Sequence, residues 1–116
     1  MSAETEFKLR TKMFCHRAIN LAMALPENDL GRVIRRQLLR SSTSVAANYR
    51  AVCRARSKAD FQAKLGIVEE EADESMFWLE LIMDNALQPE AMVLPLHKEA
   101  DEILSIIVAS IKTSRG

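Results

Sequence analysis

Apolar and polar residues follow one another along the chain with the period of a helix. Apolar side chains recur three and four positions apart, which places them on one face of an α-helix. The pattern is interrupted at Leu25-Pro26, just before Ser57 and at Gln88-Pro89. It therefore predicts four helices, at about 4–24, 30–55, 58–86 and 94–113.

The connections between these predicted helices are too short to let one helix cross over another. Consecutive helices must then run antiparallel, as in an up-down-up-down bundle. We predict an all-α fold, an antiparallel four-helix bundle that occupies residues 1–116 as a single domain.

Capping residues and prolines fix the expected helix ends. Asn28 or Asp29 can cap the second helix, and Ser57 is placed to begin a capping box for the third. Pro95 is tolerated only in the first turn of a helix. The fourth helix is therefore expected to begin near position 94, after a loose turn.

The core is predicted from the apolar stripes of the four helices. Its members are Phe7, Thr11, Phe14, Ala18, Leu21, Leu25, Leu30, Ile34, Leu38, Ser41, Val45, Asn48, Tyr49, Val52, Phe61, Leu65, Val68, Ala72, Met76, Leu79, Ile82, Met83, Leu96, Ala100, Ile103, Leu104, Ile107 and Ile111. Buried polar groups need partners. Ser41 and Asn48 therefore predict a structural network between helices, formed with Glu99 and with Gln37 or Ser75.

Composition narrows the cellular context. Hydrophobic residues make up 48% of the chain and aromatic residues 5%, and no apolar run reaches the roughly 20 residues that span a bilayer. The charged N-terminal segment lacks the apolar region of a signal peptide. Cys15 and Cys53 share no metal-ligand spacing and are expected to be reduced and buried. We expect a cytoplasmic protein that does not enter a membrane.

Charge is distributed unevenly although the formal net charge is zero. Residues 32–64 contain nine lysines and arginines against the single acid Asp60, whereas residues 69–102 contain eleven acids against the single base Lys98. Such asymmetry is typical of a nucleic-acid-binding surface, or of helices that attract one another.

Five arginines of the second helix share one predicted face. At 100° per residue they fall within about 80° of arc, opposite the apolar stripe. They are Arg32, Arg36, Arg40, Arg50 and Arg54. None has an acid four residues later, and like charges at that spacing destabilise a helix slightly. The face is either an ordinary solvated surface or a site for anions, which would be phosphates or the acidic surface of another protein.

A second apolar face is predicted on the third helix, away from its core stripe. Its main members are Ile67, Phe77, Trp78 and Leu81. Large apolar side chains exposed together mark interfaces. The face is either a self-association surface or the edge of a broad core stripe.

Known catalytic and metal-binding patterns do not occur in the sequence. Neither His16 nor His97 has a glutamate three residues before it, which the di-iron sites of helical bundles require. Cys15 and His16 are adjacent on a helix and point about 100° apart, which does not suit a thiolate–imidazole pair. We expect no catalytic residue, metal, cofactor or small-molecule substrate, and a surface position for His16.

The stretch from Arg35 to Ile82 closely resembles the 23S rRNA intervening-sequence, or S23, family of four-helix-bundle proteins. Its sequence here is RRQLLRSSTSVAANYRAVCRARSKADFQAKLGIVEEEADESMFWLELI. Segments typical of the family read QLLRSATSVGANYREA and SKADFIHKLGIALKEADETLYWLELL. The ending from Glu99 to Arg115 also resembles the family's last helix. Ala51 and Glu70 depart from the family pattern, where a glutamate and a lysine stand.

This resemblance implies a homopentamer, a ring with a central channel. Some members of the family are encoded inside intervening sequences of ribosomal RNA genes. A related branch comprises accessory proteins of diversity-generating retroelements, which are markedly basic and bind a reverse transcriptase. The zero net charge of this chain fits that branch less well.

Taken together, the sequence predicts a non-enzymatic homo-oligomeric bundle, pentameric by its resemblance, that binds RNA or an RNA-associated protein through the basic face of the second helix. The alternative is a pure protein-interaction scaffold or accessory subunit, for example a partner of a reverse transcriptase, without direct contact to nucleic acid.

Overall fold

A computed structural model describes all 116 residues. They form four helices, joined by short turns, and no strands. Helix α1 spans Ala3–Met23, α2 spans Asp29–Val52, α3 spans Lys58–Asp84 and α4 spans Glu90–Arg115. The molecule measures 44 × 22 × 22 Å. Each helix packs against its neighbours in the chain, and α1 and α4 close the bundle. The prediction of an all-α, antiparallel four-helix bundle is confirmed.

Side chains cap the first three helices. Ser2 Oγ accepts a hydrogen bond from the Thr5 N–H at 3.1 Å, and Ser57 Oγ accepts one from the Asp60 N–H at 3.0 Å. Of the two candidate caps of α2, Asn28 is the one used, since its Oδ1 accepts the Gly31 N–H at 2.7 Å. These bonds satisfy donors that the first helical turn leaves free.

Gly31 is needed because the preceding loop folds over the start of α2. A Cβ atom placed there would lie 2.0 Å from the Pro26 carbonyl oxygen. No side chain fits in that space, and only glycine lets the loop return so closely to the helix.

The fourth helix begins at Glu90, four residues earlier than predicted, and the loose turn at 90–93 is helical. Pro95 therefore lies inside the helix, where it removes one backbone hydrogen bond. Val93 and Leu96 are both buried on either side of it. Burial of these two side chains offsets the unfavourable proline, which explains why the rule for isolated helices gave the wrong start.

The end of α2 also differs from the prediction, at Val52 instead of Ala55. The N–H groups of Arg54 and Ala55 bond to carbonyls three residues back, at 3.0 and 3.1 Å. This tighter turn ends the helix and leads the chain into α3.

The apolar stripes meet in one core along the bundle axis. The largest fully buried apolar side chains are Phe14, Ile34, Leu38, Val45, Leu65, Val68, Leu79, Ile82, Val93, Ile103 and Ile107. All but Val93 were predicted. Leu30, also assigned to the core, is exposed because it lies on the first turn of α2 beside the loop.

The predicted polar network divides into separate local contacts. Ser75 Oγ donates to Ser41 Oγ at 2.9 Å across α2 and α3, and both groups are buried. Asn48 instead bonds within α2, to Ser44. Glu99 accepts two hydrogen bonds from Arg10 of α1 in a bidentate ion pair, and both bonds are 2.8 Å long. The predicted contact of Ser41 with Ser75 between helices is confirmed, whereas Asn48 and Glu99 do not take part in it.

Candidate nucleic-acid interface

The outward side of α2 carries the five predicted arginines. Arg32, Arg36, Arg40, Arg50 and Arg54 are all exposed. The buried stripe of α2 faces the other way, so the apolar residues that anchor the helix also direct the arginines outward. The sequence pattern correctly predicted this face.

Two of the five arginines have carboxylate partners in the same chain. Arg32 Nη2 lies 2.7 Å from Asp29 Oδ1, one turn before it. Arg40 contacts Glu71 at 3.2 Å and also pairs with Glu74, both on α3. The carboxylates that compensate Arg40 therefore belong to its own chain.

The other three members of the face, Arg36, Arg50 and Arg54, form no ion pair in the chain. Their guanidinium groups keep all of their donors available to an anion, and the planar group suits phosphate oxygens. The part of the face that has no carboxylate partner within the chain is thus limited to these three arginines.

Two clefts flank α2 near its carboxyl end. One, between α2 and α3, has a volume of about 610 Å³ and is lined by Ala47, Arg50, Ala51, Arg54, Arg56, Asp60 and Lys64. The other, between α1 and α2, has a volume of about 460 Å³ and is lined by Lys8, Leu9, Lys12, Thr43, Ala46, Ala47 and Arg50. Because the clefts share Ala47 and Arg50, they lie on the two sides of one low ridge.

The clefts add cations that the sequence did not assign to a site. Lys8 and Lys12 come from α1, Lys64 from α3 and Arg56 from the loop between α2 and α3. No spacing in the sequence links them, because only the packing of three helices brings them together. The arginine pattern of α2 was therefore a partial signal for a larger basic surface.

Asp60 is the one acid in these clefts, and it is locally neutralised. Hydrogen bonds from the Lys64 ammonium and from the Arg56 backbone N–H lower the pKa of Asp60 below its ordinary value of 3.8. Its carboxylate is held at the start of α3, where the helix dipole favours a negative charge. The remaining cations of the clefts are left without a carboxylate partner.

The small side chains on the ridge make it accessible to a long anionic chain. Thr43, Ala46, Ala47 and Ala51 are the small side chains that line the clefts between the cations. A phosphodiester backbone can therefore approach α2 and meet arginine and lysine donors on both sides. Arginine and lysine donors placed in this way suit contacts to phosphate oxygens.

The predicted apolar face of α3 is only partly exposed. Ile67 and Phe77 are exposed, whereas Trp78 and Leu81 are half-buried and pack against the core. The Phe77 and Trp78 rings meet edge to face, with centroids 4.9 Å apart. The four residues thus do not form one open patch. Trp78 and Leu81 belong to the edge of the core, which was the other interpretation of the pattern.

The two cysteines are unpaired and half-buried rather than buried as predicted. Burial raises the pKa of both thiols, which keeps them protonated at neutral pH. Burial also raises the pKa of Tyr49, the neighbour of Cys53, to about 12. None of these groups is activated as a nucleophile.

The two histidines are also apart from each other. His16 is exposed, as predicted, and His97 lies 2.9 Å from Glu80 of α3. No three histidine, cysteine or acidic side chains come together in a group that could hold a metal ion.

None of the four helices combines the length and the apolar character needed to cross a lipid bilayer.

Comparison with known proteins links this bundle to a family. The family model of the 23S rRNA-intervening sequence proteins matches residues 4–109. A crystal structure of a protein of unknown function from the S23 ribosomal protein family of Bacteroides thetaiotaomicron superposes with a TM-score of 0.87 at 32% sequence identity. The alignment covers 96% of this chain and 99% of that chain. No protein of curated function matches.

Proposed function

Because the chain belongs to the 23S rRNA-intervening sequence protein family, we propose that it is a non-enzymatic, self-associating bundle that binds RNA through the basic surface around α2. The observation that carries this proposal is the set of unpaired cations. Arg36, Arg50 and Arg54 face solvent without an acidic partner, and Lys8 extends their surface toward α1.

Phosphate binding is the physical reason to choose RNA. Each cation that neutralises a phosphate releases a condensed counterion, which favours binding at low salt. Contacts of this kind position a backbone without reading its sequence. None of the residues that line the two clefts is aromatic, so base stacking is not part of the proposed mode. The protein should therefore bind RNA with little sequence preference.

Self-association forms the second part of the proposal. Ile67 and Phe77 remain exposed on α3, and large apolar groups in solvent favour an interface. The resemblance of the sequence to S23 proteins supports five copies in a ring. We place this assembly in the cytoplasm, where unpaired thiols such as Cys15 and Cys53 stay reduced.

The test of RNA binding is a charge reversal inside the basic surface. Arg50→Glu/Arg54→Glu should weaken retention of a labelled single-stranded RNA at low salt by at least about tenfold in fluorescence anisotropy. The matched control is Lys112→Glu/Arg115→Glu, which changes net charge equally at the exposed end of α4. Absence of binding by the wild type, or equal loss in both variants, contradicts the proposal.

A protein-interaction scaffold is the second candidate, and the position of Arg40 favours it. Arg40 already meets two carboxylates, those of Glu71 and Glu74. Arg36, Arg50 and Arg54 can meet carboxylates of a partner in the same manner, as in an accessory subunit of a reverse transcriptase. This candidate predicts that Arg50→Glu/Arg54→Glu changes the assembled mass while the wild type retains no RNA.

A further inference from the structure

The outward face of α3 combines exposed apolar groups with acids. Phe77 is 49% exposed, and Ile67, which lies nearer the start of the helix, is 41% exposed. Glu70, Asp73 and Asp84 are exposed on the same side of the helix. No lysine or arginine occurs between Gly66 and His97. This acidic apolar face of α3 therefore suits a partner surface that is apolar and basic.

The outward face of α1 has that opposite character. Met13 and Met23 are 58% and 62% exposed, and Leu9 is exposed one turn before Met13. Lys12 and Arg17 lie exposed among them and form no ion pair. The chain has no acid between Phe7 and Pro26. This basic apolar face of α1 complements the face of α3 in both hydrophobicity and charge.

The two faces cannot meet within one chain. Helix α1 packs against α2 and α4, and α3 packs against the same two helices, so α1 and α3 occupy opposite corners of the bundle. Their outward faces point in opposite directions. The complement of each face is available only on a second copy.

Building on the proposed self-association, we infer that the acidic apolar face of α3 packs against the basic apolar face of α1 in a neighbouring copy. The contact is head to tail, since each copy uses two different surfaces. Such contacts repeat from copy to copy and close into a ring when the rotation between copies permits. The inference therefore assigns the residues of an interface and its partner helix.

Competing pairings of these faces are disfavoured by charge. Two α3 faces packed together would bring Glu70, Asp73 and Asp84 against their own copies, and like charges across an interface are unfavourable. The outward face of α4 exposes Leu94 and Ile106 but also carries the acids Asp101 and Glu102. The outward face of α2 is also basic and exposes Leu30 and Val33, but two of its arginines, Arg32 and Arg40, already pair with carboxylates of their own chain. The outward face of α1 joins large apolar groups to the bases Lys12 and Arg17, which have no such partner.

Gly66 supports close approach of a neighbour to α3. It lies inside the helix, where glycine is less favourable than alanine. A Cβ atom placed at Gly66 meets nothing within 4 Å, so packing inside the chain does not require glycine. Ala59 and Ala63, which are exposed, precede the half-buried Gly66 on the same side. A helix from another copy can approach α3 most closely where these side chains are small.

Charge reversal on each face, alone and together, tests the pairing. Lys12→Glu/Arg17→Glu and Glu70→Lys/Asp73→Lys should each weaken assembly by about tenfold in sedimentation velocity, toward the 13.1 kDa single chain. The quadruple variant, which restores opposite charges at every contact, should recover assembly to within about threefold of the wild type. Circular dichroism of each variant checks that the helices remain formed.

The outcomes separate this inference from the proposed function. A wild type that sediments as single chains overturns self-association and the inference with it. An assembled wild type with no recovery in the quadruple variant overturns the α1–α3 pairing alone. Recovery by the quadruple variant supports the pairing, because only a direct contact between the two faces lets one charge reversal compensate for the other.

Discussion

Arg40 of α2 and Trp78 of α3 meet on one carboxylate oxygen of Glu74. The indole Nε1 donates to Glu74 Oε2 at 3.1 Å, and the Arg40 guanidinium pairs with the same oxygen. This contact joins the basic face of α2 to the apolar edge of α3. It removes Arg40 from the freely available cations and Trp78 from the freely exposed apolar groups.

Trp78 should therefore act in the stability of the single chain more than in assembly. Trp78→Ala removes a half-buried ring that packs against the core, and it should lower the free energy of unfolding by about 2 kcal/mol. The adjacent Phe77→Ala removes a ring that is 49% exposed and contacts Trp78 edge to face, and it should lower the free energy of unfolding by less, about 0.5–1 kcal/mol. Urea denaturation at low protein concentration measures both. Equal losses of unfolding free energy in the two variants would contradict the larger part assigned to Trp78 in the stability of the single chain.

The Arg10–Glu99 ion pair makes stability depend on pH. The hydrogen bonds from Arg10 lower the pKa of Glu99 below its ordinary value of 4.5. Glu99 thus stabilises the folded state fully above that ordinary value, and this contribution is lost as pH falls through the lowered value. Glu99→Gln should reduce the free energy of unfolding at neutral pH by about 1–2 kcal/mol and flatten its decline in acid.

Glu102 offers the matched control for this ion pair. It also contacts Arg10, at 3.0 Å, but its side chain is 50% exposed against 18% for Glu99. Glu102→Gln should cost less than about 0.5 kcal/mol, since exposed ion pairs contribute little. If both variants showed the wild-type pH dependence, the pair would have no part in acid stability.

Ala86 is strained where the chain leaves α3. Its φ is 52°, in the left-handed region, and the following Leu87 N–H donates to the Ile82 carbonyl at 3.0 Å. This is the usual end of a helix at which glycine is preferred. Ala86→Gly should raise the free energy of unfolding by about 0.5–1 kcal/mol. Asn85→Gly, at a φ of −100°, should lower it, and thermal unfolding compares the two.

The helices and the core could largely be predicted from the sequence, because the period of apolar residues is a local property. Pro95 was the exception, since burial of Val93 outweighs a local preference against proline in a helix. Charge partners are not local. The pairing of Arg40 with Glu71 and Glu74 depends on the distance between α2 and α3, which helix periodicity does not give.

The same limit applies to the candidate RNA surface. The arginines of α2 could be recognised in the sequence as one face of a helix. Lys8 and Arg56 join them only when folding places α1 and the loop before α3 beside α2. Self-association is likewise a property of two copies. The sequence identified the apolar face of α3, and folding showed which of its members remain exposed.

The most direct test of the central claim is the salt dependence of RNA affinity. The affinity of the wild type should fall as salt rises, and Arg36→Gln/Arg50→Gln/Arg54→Gln should reduce the slope of log affinity against log salt by about two to three. The control Lys98→Gln/Lys112→Gln/Arg115→Gln removes three exposed cations from α4 and should keep the wild-type slope. An unchanged slope in the arginine variant would contradict RNA binding through the outward face of α2.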